Sequence, residues 1–566
     1  MSLNRRTWRL AAPLAVLALL AGACSSNSGG GSGNNSGGAP AAPQQAGKAD
    51  LNAQDVSSLK QGGNFRWALN EIPPNFNYNE VDGTLSDTHD IIYSMMPLPF
   101  LADAAGVQNV NKDYFTDVKL TSTDPQVVTY TINPKAKWND GKAVSWEDFN
   151  TQFKALNGSD PAFQVASSTG YSDIAKVEQG TNAQQAVVTF TNKFSDWQSL
   201  FGPLYPQAVN ATPEAFNTSL VSTPGVTAGS FKYDSTDKTK KTVTVKPDPA
   251  WWGTKPVLDS ITYIALDQSA QVQSLVNNEI DYSNIGSSVN DNKTARGAQG
   301  VSVRQALAPD YRHITFNGAA GSILADKDLR IAVMKGINRT GIAQALLNGV
   351  AKDPKPLGNH IYVEGLDGYK DNASVVAYDP TAAAKALDDL GWVKSGDTRT
   401  KGGKTLTIRD VIPTGVATSA QEAQIVQQNL QAIGVKVNIE TVPSAGFFKQ
   451  YVNVGNFDIT HFAWLGTPFP VSSSGSIYAL NSDVQQNYGR IGDPSINALF
   501  KQANSELDPA KKIDLANQID QAIWNQGFSL LLYQRPQNHA VRSTLANFGS
   551  PGFGDVDYTK IGFMKS

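Results

Sequence analysis

A single cysteine, Cys24, stands among 566 residues. No intrachain disulfide can form, and thiolate clusters for zinc or iron–sulfur are excluded. A chain of this length has to rely on core size, and it is too long for one ordinary core, so at least two lobes are expected. Charge is also scarce, at 17% of residues, with 47 basic against 50 acidic and a formal net of −3. That balance lacks the basic surface a nucleic-acid partner requires. The five histidines, His89, His313, His360, His461 and His539, are isolated in sequence and form no H-E-x-x-H pattern. Neither a metal site nor a cofactor is therefore expected. No G-x-S-x-G surrounds a serine, which removes a hydrolase elbow and leaves no signature of an enzyme. Gly403-Lys404-Thr405 looks like the end of a P-loop, but Thr398 occupies the place of the required glycine. It reads as a turn before a strand.

What is present begins with an address. Arg5, Arg6 and Arg9 precede an apolar stretch from Leu10 to Leu20. This is the layout of an export signal over residues 1–23. The stretch is about 11 residues, too short to span a ~30 Å hydrocarbon core. It ends in Leu20-Ala21-Gly22-Ala23-Cys24, which resembles the lipobox of bacterial lipoproteins, with Ala21 where leucine is usual. That resemblance implies cleavage before Cys24, lipid attachment to its sulfur, and a place on the outer face of the cell membrane. Arg5-Arg6 leaves Sec and twin-arginine export both open. Residues 24–60 then read as a Gly/Ser/Asn-rich tether with nothing to bury.

The body alternates strand and helix periods. Val128, Tyr130 and Ile132 alternate with polar neighbours, Asn139-Asp140-Gly141 makes a turn, and Ser145 with Asp148 caps a helix carrying Phe149, Phe153 and Leu156 on one face. Leu406 to Ile412 predicts a strand, and Ser419 with Glu422 predicts a capping box. Ala423, Val426, Leu430 and Ile433 share a helical face that Gly434 ends, and Val435, Val437 and Ile439 predict a second strand. Strand, helix and strand at that spacing make a βαβ unit. Asp379-Pro380 and Asp508-Pro509 open two more helices. The fold class is α/β with mixed sheets.

Four segments, in order, resemble the family 5 extracellular solute-binding proteins, the dipeptide, oligopeptide and nickel group. They are VVTYTINPKAKWNDGKAVSWEDFNTQFKAL at 127–156, DPAWWGTKPVLDSITYIALDQSAQVQSLVNNEIDYS at 248–283, ITFNGAAGSILADKDLRIAVMKGINRTGIAQALLNGVA at 314–351 and YDPTAAAKALDDLGW at 378–392. The resemblance implies a two-lobed periplasmic-binding-protein-like fold (class II, cluster C). Lobe I would span 61–310 with an extra subdomain inserted at about 80–215. Lobe II would span 311–520, and 521–566 would return to lobe I. It further implies a monomer that closes on a small peptide or similar solute and presents it to the permease subunits of an ABC importer.

Candidate site residues follow from the same likeness. In peptide-binding relatives an aspartate shortly after a tryptophan pairs with the ligand's amino group. Here Trp464 matches the tryptophan, and Thr467 occupies the aspartate's position. A hydroxyl cannot balance a buried ammonium. The ligand is then open between a peptide, a blocked or modified peptide and a non-peptide such as an oligosaccharide. A role in envelope assembly or signalling also stays open. Glu71, Asn487, Tyr488 and Tyr533 complete the candidate ligand contacts, each also readable as loop or core; Trp464 has the same alternative.

Overall fold

The computed structural model describes residues 48–565, except 352, 445 and 481–483. Cys24 and the signal and lipobox around it lie outside the described residues. The last part of the expected tether, by contrast, is folded. Asp50 exchanges backbone hydrogen bonds with Ser550, Asp55 caps a short turn at Val56–Ser58, and Leu59–Lys60 pairs antiparallel with Gly562–Met564. Leu59 is buried there against Val257 and Ala546, so apolar burial wins over the polar composition around it.

One ten-stranded sheet runs through the molecule. Its strand order is Lys436–Val442, Thr407–Pro413, Ile459–Trp464, Val301–Phe316, Ser529–Arg542, Tyr282–Asn284, Asn64–Leu69, Ser260–Ala265, Thr242–Pro247 and Phe231–Asp237. Two large hydrophobic cores flank it. The first gathers Phe65, Trp67, Tyr130, Phe149, Tyr263 and Val541. The second gathers Ile314, Leu329, Leu430, Ile459, Trp524 and Tyr533. Strands 301–316 and 529–542 run from one lobe into the other. Strand 529–542 places Val541 in the first core and Leu530 to Tyr533 in the second, while strand 301–316 gives Tyr311, Ile314 and Phe316 to the second and packs Val301 and Val303 on a smaller cluster around Ala68, Leu275 and Ala540. Their pairing is irregular between Leu307 and Tyr311 and again between Arg312 and His313. The lobes meet at that crossover. Because Ile523, Trp524 and Leu530 to Tyr533 are buried in the second core, the chain returns to the first lobe beyond Tyr533 rather than at 521.

Within the span expected for the insertion, strands Phe115–Thr123, Gln126–Ile132, Gln185–Phe190 and Ile174–Gln179 form a four-stranded antiparallel sheet. The helix Trp146–Leu156 begins on the Ser145–Asp148 capping box that the sequence spells out. Its buried Phe149 and Phe153 join the first core.

In the second lobe, strands 407–413 and 436–442 pair in parallel on either side of helix Ala417–Ala432, and Gly434 ends that helix with φ at +84°. The start of the helix departs from the sequence reading. It begins at Ala417 with no side-chain cap, and Ser419 and Glu422 are fully buried. Both side chains serve a buried arginine instead of capping their own helix. The two Asp-Pro starts hold as read. Asp379 caps Pro380–Asp389, and Asp508 accepts from the N–H groups of Ala510 and Lys511 at the head of Pro509–Asn525. Replacing Asp508 by alanine should lower unfolding stability in urea by about 1 kcal/mol; an unchanged midpoint would show that this cap is redundant.

Candidate functional site

Strand direction locates the site. In the first lobe the parallel strands 64–69, 260–265 and 282–284 all run toward the crossover, since Tyr282 pairs with Val541 and Asn284 with His539. In the second lobe 459–464 runs toward it from the other side, pairing Ile459 with Phe316 and Trp464 with Tyr311, and 407–413 and 436–442 run parallel to it. The carboxyl ends of both sets therefore converge on the hinge. Ligands of open α/β sheets bind outside such ends.

The second lobe contributes an aromatic wall. Trp464, half-buried, is stacked between Tyr488 at 5.7 Å and 11° and His313 at 5.7 Å and 12°. Phe462 meets Trp464 edge-on at 5.3 Å, and Phe448, 45% exposed, extends the surface. His313 is kept neutral, because burial and the neighbouring Arg312 push its pKa well below the usual range. Thr467 accepts at its hydroxyl from the Phe469 N–H at 3.1 Å and leads into helix Pro470–Tyr478. Gly466 before it leaves no room for a side chain: a Cβ would stand 2.5 Å from Pro309 Cβ and 2.6 Å from the Pro309 carbonyl oxygen.

The first lobe contributes the turn after strand 64–69. Asp87 accepts from the N–H groups of Asn70 at 3.2 Å and Glu71 at 2.9 Å, and so holds the turn. Burial raises the Asp87 carboxyl to about 7 against the pull of those two N–H groups. Glu71 itself is exposed at the strand end, crowded enough by the surrounding chain to raise its pKa as well.

Two candidates sit behind the wall. Asn487 is buried and its amide closes a loop, donating to the carbonyls of Ala479 at 3.1 Å and Ile491 at 2.7 Å. Tyr533 is fully buried and donates to Glu422 Oε1 at 2.8 Å. As direct ligand contacts both are corrected to supports, since their polar groups are already committed inside the protein.

Tyr533 belongs to a buried ionic chain. Arg312 donates to Glu422 at 3.0 and 2.5 Å and to Ser419 Oγ at 2.9 Å. His461 Nε2 lies 3.0 Å from Asp410 Oδ2, and its Nδ1 lies 3.4 Å from Glu422 Oε2, an electrostatic contact rather than a hydrogen bond. Burial alone would raise Glu422, but Arg312 and His461 outweigh it and bring the carboxyl down to about 2. Burial alone would lower His461, but Asp410 and Glu422 lift it to about 9. Glu422, His461 and Asp410 are wholly enclosed, so this constellation joins strands and a helix and meets no substrate.

The lobes also touch away from the hinge. Asp196, on the inserted segment, accepts from the Ser472 N–H at 3.3 Å in the first turn of helix 470–478, which has no cap of its own, and forms an ion pair with Lys512. Ser195 N–H donates to the Asn504 carbonyl at 2.6 Å. Nothing in the local sequence marks Asp87 or Asp196, whose partners in the second case are 276 and 316 residues away. Among the described residues, no group of three or more His, Cys, Asp or Glu is placed to hold a metal, and no helix is long and apolar enough to cross a membrane.

A family model described as bacterial extracellular solute-binding proteins, family 5 Middle, matches residues 109–487. The oligopeptide-binding protein OppA of Mycobacterium tuberculosis is 45% identical over 99% of this chain and 94% of its own length. Among solved structures, a periplasmic EDTA-binding protein, EppA, superposes with a TM-score of 0.84 at 23% identity, covering 93% of this chain and 100% of its own. The oligopeptide-binding protein AppA of Bacillus subtilis, in complex with a nonapeptide, superposes with a TM-score of 0.77 at 19% identity, covering 90% and 100%.

The ionic chain gives a pH signature. His461 is raised, so its contribution to stability is complete below about 6.5 and is lost as pH rises through about 9. Glu422 is lowered, so its contribution is complete above about 4.5 and is lost only near pH 2. Thermal melts should show Tm falling between pH 7 and 9.5 in the wild type, with a shallower fall in His461→Gln. Arg312→Met, which strands Glu422, should cost about 3–5 kcal/mol.

Proposed function

Because the chain belongs to the bacterial extracellular solute-binding proteins of family 5, we propose that it captures oligopeptides between its lobes. It then hands them to the permease subunits of an ABC importer, while lipid on Cys24 moors it to the outer face of the membrane. The observation that carries this reading is the convergence of both lobes' strand ends on one hinge, with the Trp464–Thr467 turn on one side and Glu71 on the other. Two facing walls bury most of a small guest's surface. The aromatic wall supplies contact area without demanding one side-chain sequence, which suits a binder of varied peptides. Kinship with a mycobacterial oligopeptide-binding protein over nearly the whole chain supports the same ligand class.

Entry requires the lobes to part, so contacts that bridge them set the population of the closed form. Asp196 does this through both Lys512 and the helix at Ser472. A closed, loaded form is what a permease would read.

Thr467 favours a second reading of the ligand. Without a carboxylate there, a free amino terminus has no counterion on that turn, which favours a blocked peptide or a non-peptide solute. A family-fold lipoprotein serving envelope assembly is the corresponding alternative to transport.

Mass spectrometry of small molecules that co-purify with the protein should find oligopeptides; sugars or no guest at all would overturn the peptide reading. Trp464→Ala should weaken peptide binding by tenfold or more in calorimetry. Asp196→Ala should speed peptide release in stopped-flow by about tenfold, equivalent to about 1.4 kcal/mol of closure.

A further inference from the structure

The hinge carries a cation that the fold does not use up. Arg535 lies on strand 529–542 where it passes between the lobes. Its neighbours Gln534 and Pro536 line a cavity of about 290 Å³ with Leu307, Pro356 and Glu364. Strand alternation turns Arg535 to the opposite face. There its guanidinium lies beside Gly286, where a Cβ would stand 3.0 Å from Nη2 and 3.7 Å from Asn284 Oδ1. This is the carboxyl end of strand 282–284, in the first lobe. From the other side comes Asp310, whose carboxylate is 3.9 Å from Arg535 Nη1 and whose pKa, raised by burial, is pulled back by Arg535 and by the Gly466 N–H. Gly466 belongs to the turn between Trp464 and Thr467. Arg535 thus stands on the floor where the two walls meet.

The pairing there is loose. At 3.9 Å the contact with Asp310 is at the limit of an ion pair, and among the described residues the Arg535 guanidinium donates no side-chain hydrogen bond. Its side chain is 19% exposed. A guanidinium carries five N–H donors in a rigid fork matched to a carboxylate. Loosely paired and still within reach of water, that fork stays available to an acceptor arriving from between the lobes. Arg312, on the adjoining strand, shows the contrast: its donors go to Glu422 and Ser419 within 3.0 Å.

We propose that Arg535 is a specificity-determining residue that receives a carboxylate of the bound solute at the hinge floor. The inference rests on the peptide reading above and sharpens it. The site selects ligands by an anionic group held near the hinge, and a missing anchor for the amino terminus at Thr467 is tolerable because the guest is oriented from its acidic end. The carboxylate is either the peptide's own terminus or an acidic side chain.

Calorimetry with three probes tests this: tetra-alanine, tetra-alanine amide, and an alanine tetrapeptide amide with one internal aspartate. If the carboxylate is the peptide's own terminus, the wild type should bind tetra-alanine at least tenfold more tightly than its amide. If the carboxylate is a side chain, the aspartate-containing amide should recover the tight binding. Arg535→Gln should abolish the preference for the charged probes while keeping the affinity for the plain amide, and Arg535→Lys should keep part of the preference. Melting curves of both variants check folding, and the lysine variant carries the test should the glutamine variant not fold. Equal wild-type affinity for all three probes, or an undiminished preference in Arg535→Gln, would overturn the proposal while leaving peptide capture standing. No binding of any probe by the wild type would overturn the peptide reading and this inference together.

Discussion

Two paired strands have to run from one lobe into the other, and the rest of the architecture answers to that constraint. Strands 301–316 and 529–542 pair along most of their length, yet one end of the pair packs in the first lobe through Val541, Ala540, Val301 and Val303, and the other end in the second core. A paired ladder resists bending except where its register breaks. The breaks fall at the crossover, between Leu307 and Tyr311 and between Arg312 and His313. On the far side the ladder is clamped. Arg312 from one strand and Tyr533 from the other both bind Glu422 on helix 417–432, and His461 and Asp410 extend the clamp to the next strands. The second lobe can thus turn as one piece, with bending confined to the few residues between the clamp and the first core.

The same clamp divides the electrostatics of the second lobe. His313 and His461 occupy adjoining strands and are both fully buried. One faces two carboxylates and is held charged; the other faces an arginine and aromatic rings and is held neutral. Only the neutral one touches the candidate wall, where it stacks on Trp464. The charge sits behind, where it stabilises structure, and the surface offered to a guest on this side is aromatic and uncharged. Charged groups reach the site from Glu71 and from the Asp310–Arg535 pair on the hinge.

Features fixed within a few residues were legible in the sequence. Ser145 with Asp148, the Asp-Pro starts at 379 and 508, and the stop at Gly434 each depend on a single helical turn, and each forms as read. Ser419 and Glu422 have the same local spelling and do something else, because Arg312, 107 and 110 residues away, outcompetes the nearby backbone. Trp464 and Tyr488 were candidates through likeness to relatives, but their stacking arises from packing between distant segments that no local pattern encodes. Tyr533 and Asn487 were candidates from the same likeness, and the fold engages their polar groups inside the protein. Asp87, Asp196 and Arg535 are ordinary charged residues until the fold brings their partners to them.

The two chain ends have a mechanical consequence. Leu59 and Lys60 pair with Met564 and Phe563, and Lys565 reaches the carbonyl of Ser57. Both described ends are thereby sewn into the first lobe, and the chain passes to the second only through the hinge strands. Any leash leading away ahead of Lys48 pulls on the first lobe, leaving the other jaw to swing without drag.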